Sequence, residues 1–215
     1  MIKPNDEKKN IKILVVGAGL SGATIARLLT DEGYGSVSVI EKKRFPGGLC
    51  ITRFNQDGIP YEPFGARTFH TNKEHVKDFV LRFDKFNGYT HYKGMIINNQ
   101  LLPFPMTKAA IDTLPEKNQI YEEIANRPKV VDQTNFETAA ISIVGKTLYK
   151  YFIENYSSRM WGCDPKDLTA DWAPKRLEFR ENGQTECFLN QWQGLPKHGY
   201  SYLIEKMLEG IAVQY

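Results

Sequence analysis

An α/β fold, with a doubly wound Rossmann-like sheet that binds a dinucleotide, an inserted helical domain and a small antiparallel sheet, is predicted by three observations. Ile11–Val16 is a short β-rich run of the kind buried in a parallel sheet. Gly17-Ala18-Gly19-Leu20-Ser21-Gly22 follows at once and opens a segment whose apolar residues recur at helical spacing until Gly33. Val37–Ile40 then reads as a second parallel strand, closed by Glu41.

Each part of that opening has a physical task. The first glycine permits a tight turn, the second lets a pyrophosphate approach the backbone, and the third lets helix and strand pack closely. The helix N-terminus turns its unpaired amides toward phosphate. Glu41 stands about 20 residues past the loop, where a carboxylate can accept hydrogen bonds from the adenosine ribose and disfavours a 2′-phosphate. A lone glycine motif of this form is weak, and a turn with a solvated Glu41 is the competing reading; the flanking strands favour a dinucleotide. Pro46-Gly47-Gly48 offers a second close backbone approach just past the acid. It resembles the glycine pair of amine-oxidase-like FAD proteins, which favours FAD over NAD; the bland reading is an ordinary turn. The expected cofactor-binding set is Gly17, Gly19, Ser21, Gly22, Glu41, Lys42, Gly47, Gly48 and Leu49.

Composition narrows the function classes. With 215 residues, 41% hydrophobic and 25% charged, the chain is neither collagen-like nor intrinsically disordered. A net charge of +3 is too weak for a nucleic-acid footprint, so no nucleic acid is expected as a partner. Cys50, Cys163 and Cys187 match no metal or disulfide spacing, so no metal site is expected and a reducing compartment fits. No apolar run reaches the roughly 20 residues of a membrane span. A soluble, cytoplasmic protein without membrane contact is the expectation.

Farther along, Ile51–Phe54 and Ile59–Tyr61 form a predicted hairpin through Asp57-Gly58. Helices are predicted from about Asn72 to Phe83, over Gln119–Arg127, after a Thr134-x-x-Glu137 capping box, and from Leu148 to Tyr156. Lys175–Arg180 and Cys187–Trp192 read as strands, Tyr200–Leu208 as a helix and Ile211–Tyr215 as a strand. The expected organisation is a Rossmann-like part over 1–71, an inserted helical substrate domain over 72–170, antiparallel strands over 171–198, and a return to the first domain over 199–215.

Together these motifs resemble the UDP-galactopyranose mutase family. The likeness rests on Gly17–Gly22, Glu41, Gly47-Gly48, the run Phe64-Gly65-Ala66-Arg67-Thr68-Phe69-His70-Thr71, and Leu102-Pro103-Phe104-Pro105. It continues through Met160-Trp161-Gly162, Lys175-Arg176, Trp192-Gln193-Gly194 and Gly199–Gly210, in the family's order. The resemblance implies an isomerase that interconverts UDP-galactopyranose, or a related UDP-hexopyranose, and its furanose form for cell-surface glycans. It implies reduced FAD as the nucleophile, through a flavin N5 sugar adduct without net redox change. A UDP-sugar would be the ligand, and a homodimer is compatible with the bacterial relatives.

Residue by residue, the resemblance places Tyr156 against uracil, where a flat ring gains contact at little entropic cost. Ser157 keeps a hydroxyl beside the nucleotide in place of the usual threonine. Trp161 matches a pocket tryptophan. Arg176 matches the mobile-loop arginine on the diphosphate, a task suited to a planar five-donor group. His70 matches a histidine close to the flavin ring, so His70 and Arg176 are the expected catalytic residues. Without the family, Tyr156 and Trp161 read as core aromatics, Arg176 as a solvated strand residue and His70 as structural.

Three positions depart from the family pattern. Arg67 stands in place of a histidine near the sugar, and a longer donor there favours an acetamido or otherwise altered substituent. Cys187 replaces a diphosphate-binding tyrosine, and Pro105 an asparagine. Family members also continue for nearly as long again beyond the position matching Tyr215, through a second diphosphate arginine and several pocket tyrosines. Two other readings stay open: an FAD oxidoreductase of the amine-oxidase-like class, and a truncated, catalytically silent nucleotide-binding module.

Overall fold

The computed structural model describes residues 6–173, 179–180 and 182–215. In chain order the helices are α1 (Asp6–Lys9), α2 (Leu20–Asp31), α3 (Glu74–Leu81), α4 (Lys108–Ile111), α5 (Lys117–Ala125), α6 (Phe136–Val144), α7 (Lys146–Tyr149), α8 (Asn155–Trp161) and α9 (Gly199–Leu208). The strands are β1 (Lys12–Val16), β2 (Ser36–Ile40), β3 (Arg53–Phe54), β4 (Pro60–Tyr61), β5 (Phe69–Thr71), β6 (Lys93–Ile97), β7 (Gln100–Phe104), β8 (Met106–Thr107), β9 (Phe179–Arg180), β10 (Trp192–Gly194) and β11 (Ala212–Gln214). They fall into two compact units, one of residues 1–90 and 190–215 and one of 91–189.

In the first unit β1, β2 and β11 form a parallel sheet with β2 in the middle. The register sets Leu14 beside Ser38 and Ser38 beside Ala212, and Val16 beside Ile40 and Ile40 beside Gln214. Alternation sends Ile13, Val15, Val37, Val39 and Val213 to the opposite face. That face packs with Ala23 and Ala26 of α2 and with Leu203, Ile204 and Met207 of α9 around a buried core. Small alanines on α2 let the helix lie close over the sheet. The other face keeps Leu14 57% and Val16 78% exposed, and β1 has one strand neighbour among the described residues. Beside this sheet, β3 and β4 make the predicted hairpin, and β5 pairs antiparallel with β10.

The second unit is mainly helical. Its core gathers Phe136, Ala139 and Ala140 of α6 with Ile111, Ile120, Leu148, Tyr149 and Phe152. The helix start lies one residue later than the Thr134 box predicts. The Asn135 side chain accepts the Thr138 amide at 3.0 Å, and the Asn135 amide donates to Thr138 Oγ1 at 3.2 Å. Asparagine caps at least as well as threonine, and the Thr134 amide is engaged by Asp132. The segment read as one helix from Leu148 to Tyr156 is α7, a π-helical stretch over Lys150–Glu154, and α8. A hairpin of β6 and β7, which the sequence reading missed, turns through Asn98 and Asn99, both at positive φ (49° and 62°). Paired asparagines between apolar runs are the signal that could have found it.

The strand expected over Cys187–Trp192 is displaced to Trp192–Gly194. At its start pairing is limited to one antiparallel bridge between Glu186 and Tyr92, beside which Cys187 N–H donates to the His91 carbonyl at 2.7 Å, and Gln191 N–H donates to Asn72 Oδ1 at 2.9 Å. Of the strand expected over Lys175–Arg180, Phe179–Arg180 is seen, and the rest lies outside the described residues.

Candidate functional site: a glycine-loop nucleotide cradle

The glycine loop, Glu41 and the glycine pair are hydrogen-bonded into one construction. Gly17 N–H continues the sheet by donating to the Ile40 carbonyl at 2.7 Å. Glu41 Oε2 accepts the Ala18 amide at 2.8 Å while Oε1 accepts the Lys43 amide at 2.9 Å. The Ala18 carbonyl in turn accepts Gly47 N–H at 2.8 Å, and the Glu41 amide donates to Gln214 O at 2.8 Å. Ala18 is thus fixed at both ends of its residue and fully buried. The Lys43 and then the Ala18 amide hold the Glu41 carboxyl below its ordinary range. An ionised carboxylate has about four acceptor sites, so loop bonding leaves Glu41 capacity for ribose hydroxyls.

The glycines are required here by space as well as by conformation. A Cβ on Gly22 would lie 1.9 Å from the Gly17 carbonyl oxygen. On Gly48 it would lie 3.1 Å from Gly19 Cα, and on Gly47 it would lie 2.4 Å from Ile51 Cγ2. Gly47 and Gly48 also sit at φ 123° and 60°. The pair therefore packs on the glycine loop itself, backbone against backbone. Gly17, at φ 99°, has nothing within 4 Å of its Cβ direction. Gly19 caps α2 without a side-chain hydrogen bond to the first turn, leaving the amides of Leu20, Ser21 and Gly22 suited to an anion. Ser21, Lys42 and Leu49 are exposed around this cradle. These features fit the diphosphate and ribose of a dinucleotide.

His70 lies on β5 opposite Gln193, and its Nδ1 is 2.8 Å from Asn190 Oδ1. That contact fits an Nδ1–H tautomer, which makes Nε2 an acceptor. Asn190 was not among the predicted residues, and nothing local in sequence marks it. Arg67 precedes β5, with its guanidinium folded onto the Phe64 and Ala66 carbonyls at 3.3 and 3.4 Å. In the same unit, buried Asp84 accepts the amide of His198 at 2.9 Å and contacts that imidazole at 2.8 Å.

In the second unit Tyr156, Ser157 and Trp161 lie on α8. Ser157 is buried, whereas Tyr156 is 52% and Trp161 40% exposed. Ser157 and Trp161 are four residues apart and share a helix face; Tyr156 lies a third of a turn away, four residues before exposed Met160. The Trp161 ring meets Trp172 with centroids 5.4 Å apart, tilted by 52°. Gly162 ends the helix at φ 69°. Arg176 lies outside the described residues. Half-buried Cys187 is free. Among the described residues no cluster of metal-ligating side chains is found, and no helix is long and apolar enough to cross a membrane.

An α/β fold with this cradle defines a Rossmann-like nucleotide-binding protein, and residues 15–83 match the model of the NAD(P)-binding Rossmann-like domain. Residues 151–215 match the UDP-galactopyranose mutase family model, and the chain is similar over most of its length to curated sugar mutases. It is 33% identical over 204 residues to dTDP-fucopyranose mutase of Escherichia coli, covering 92% of this chain and 54% of that protein. It is 30% identical over 207 residues to a probable UDP-galactopyranose mutase of Klebsiella pneumoniae, covering 93% and 53%. The crystal structure of a reduced UDP-galactopyranose mutase superposes with a TM-score of 0.80 at 18% identity, over 95% of this chain and 48% of the other. Cyclohexylamine oxidase of Brevibacterium oxydans IH-35A shares the fold at a TM-score of 0.63 and 17% identity, over 95% and 50%. The chain spans about half the length of the curated relatives it matches.

Proposed function

We propose that this chain is the FAD- and nucleotide-binding part of a flavin-dependent sugar mutase that interconverts UDP-galactopyranose, or a related nucleotide-linked hexopyranose, and its furanose form. One observation carries this reading: a dinucleotide cradle built on Glu41 and two glycine turns occurs in the same chain as an α8 segment matching the mutase family model. An oxidoreductase has no reason to carry Tyr156, Ser157 and Trp161 at mutase positions.

In this reading the amides of Leu20–Gly22 hold the pyrophosphate of FAD, and Glu41 holds its adenosine ribose. Reduced FAD supplies a nucleophilic centre for the anomeric carbon. The chain's own residues bind and orient. Tyr156 offers an exposed ring to a pyrimidine, Ser157 a hydroxyl next to it, and Trp161 a wall made rigid by Trp172. His70, oriented by Asn190, presents Nε2 as a group able to hold a proton. Arg176 is assigned the diphosphate, where developing charge on a nucleotide leaving group calls for a guanidinium.

The test is incubation of the protein with FAD, dithionite and UDP-galactofuranose, with the products separated by chromatography. Pyranose formation is expected. Likeness to dTDP-fucopyranose mutase favours a parallel assay with dTDP-fucofuranose, and turnover of that compound alone would move the substrate to the dTDP-6-deoxy class. Amine-dependent peroxide without isomerisation would replace the mutase reading with the oxidase one. Neither flavin retention nor turnover would leave a silent nucleotide-binding module.

A further inference from the structure

Arg67 departs from the family pattern, so what holds it bears on how the site works. Its peptide is gripped from two directions. The Arg67 amide donates to Glu62 Oε2 at 2.5 Å, and its carbonyl accepts the Tyr200 hydroxyl at 2.6 Å. Tyr200 is only 2% exposed and reaches this loop from the first turn of α9, 133 residues away. The base of Tyr200 is itself fixed: its amide donates to Thr52 Oγ1 at 2.9 Å, while Ser201 Oγ accepts the Thr52 amide and donates to the Thr52 carbonyl, both at 3.0 Å. A Cβ on Gly199 would collide with Thr52 at 2.7 Å, so the helix start fits this seat only with glycine there.

We propose that Tyr200 and Glu62 are positioning residues that clamp the Arg67 peptide from two sides and so set Arg67 as a fixed cation ahead of the following strand. The functional consequence rests on the reading of Arg67 as ligand-facing; the positioning itself does not. The hydroxyl holds the peptide that joins Arg67 to Thr68, so the Arg67 carbonyl cannot turn away without breaking a buried hydrogen bond, an expensive event away from water. Glu62 fixes the other side of the Arg67 peptide, and Gly65 N–H donates to the Glu62 carbonyl at 3.1 Å, closing the loop between them.

A nearby thiol reports on this arrangement without any ligand. Burial pushes the Cys50 thiol up, Arg67 opposes that by charge and hydrogen bond, and Glu62 reinforces it. In a protein with Cys163→Ser and Cys187→Ser, the pH dependence of Cys50 alkylation by iodoacetamide is measured for Arg67→Gln, Tyr200→Phe and the double variant. Arg67→Gln is expected to move the midpoint to higher pH. Tyr200→Phe is expected to move it the same way, slowing alkylation at pH 8 by roughly threefold, as half a pH unit requires. In the Arg67→Gln background, Tyr200→Phe is expected to do nothing more, because it acts through Arg67. Equal effects of Tyr200→Phe in both backgrounds, or none in either, would overturn the proposal. If circular dichroism shows that Tyr200→Phe does not fold, Glu62→Gln replaces it, with non-additivity against Arg67→Gln as the required outcome and additivity as the refutation. Failure of the wild type to bind flavin or UDP would remove the mutase reading and leave this cycle intact.

Discussion

Glu41 and Ala18, 23 residues apart, are joined by a 2.8 Å hydrogen bond from the Ala18 amide to the carboxylate that ends β2. The acid expected to face a ribose therefore also braces the loop expected to face the pyrophosphate. The expected ribose contact and the local stability of the loop share one side chain.

That sharing gives a pH dependence with a definite sign. The folded Glu41 carboxyl lies below its ordinary value of 4.5, chiefly through the Lys43 amide and then the Ala18 amide. Its contribution to stability is thus complete above the unfolded value and is lost as pH falls through the folded one. Urea titrations from pH 7 to pH 3 are expected to show wild type more stable than Glu41→Gln at neutral pH, with the gap closing in acid. A gap that stayed constant would mean that the carboxylate charge has no part in holding the loop.

Two glycine substitutions separate space from conformation. Gly22→Ala drives a methyl into the Gly17 carbonyl and is expected to cost about 3 kcal/mol, within the range of overpacked sites. Gly17→Ala meets nothing but must hold φ 99°, and is expected to cost about 1–2 kcal/mol. Chemical denaturation of each variant would check the order, which reverses if α2 can lift off the loop freely.

The cap of α6 offers a test at a neighbouring pair of positions. Asn135→Ala is expected to destabilise the second unit by about 1 kcal/mol, the usual value of a lost N-cap. Thr134→Ala, one residue earlier, is expected to cost less, since its side chain is not the cap. Hydrogen exchange at the amides of Thr138 and Ala139 would report the difference directly.

The two cores are distinct sets of residues, and truncations should respect this. Leu203→Ala removes a fully buried side chain from the first unit and Phe136→Ala one from the second, each at a cost of about 3–5 kcal/mol. Amide exchange is expected to accelerate first in α9 for one and in α6 for the other. Uniform acceleration throughout by either variant would show a single cooperative core instead.

How much of this was legible in sequence depended on the range of the interactions. The loop, β1, β2 and α2 could be read because glycine spacing, a β-rich run and helical periodicity act within about 30 residues of one another, as a βαβ unit does. The α8 residues could be named by resemblance alone. Tertiary partners left no local mark. Asn190 reaches His70 over 120 residues and Tyr200 reaches Arg67 over 133, through side chains whose type is common on any surface or helix. The π-helical stretch at Lys150–Glu154 escaped because its apolar spacing still fits an ordinary helix over two turns. Cys187–Gln191 looked like a strand by residue type, but pairing there stops at one antiparallel bridge between Glu186 and Tyr92, and the Gln191 amide is taken by the Asn72 side chain.

The rim of β1 that lacks a strand neighbour among the described residues has a practical outcome for anyone handling this polypeptide. With no strand beside it among the described residues, and with Leu14 and Val16 exposed, this rim invites a like strand from another molecule, and natural proteins usually blunt such rims with lysine or proline. Concentrated solutions should therefore scatter light through strand-to-strand stacking, and a lysine introduced at Val16 should keep them clear.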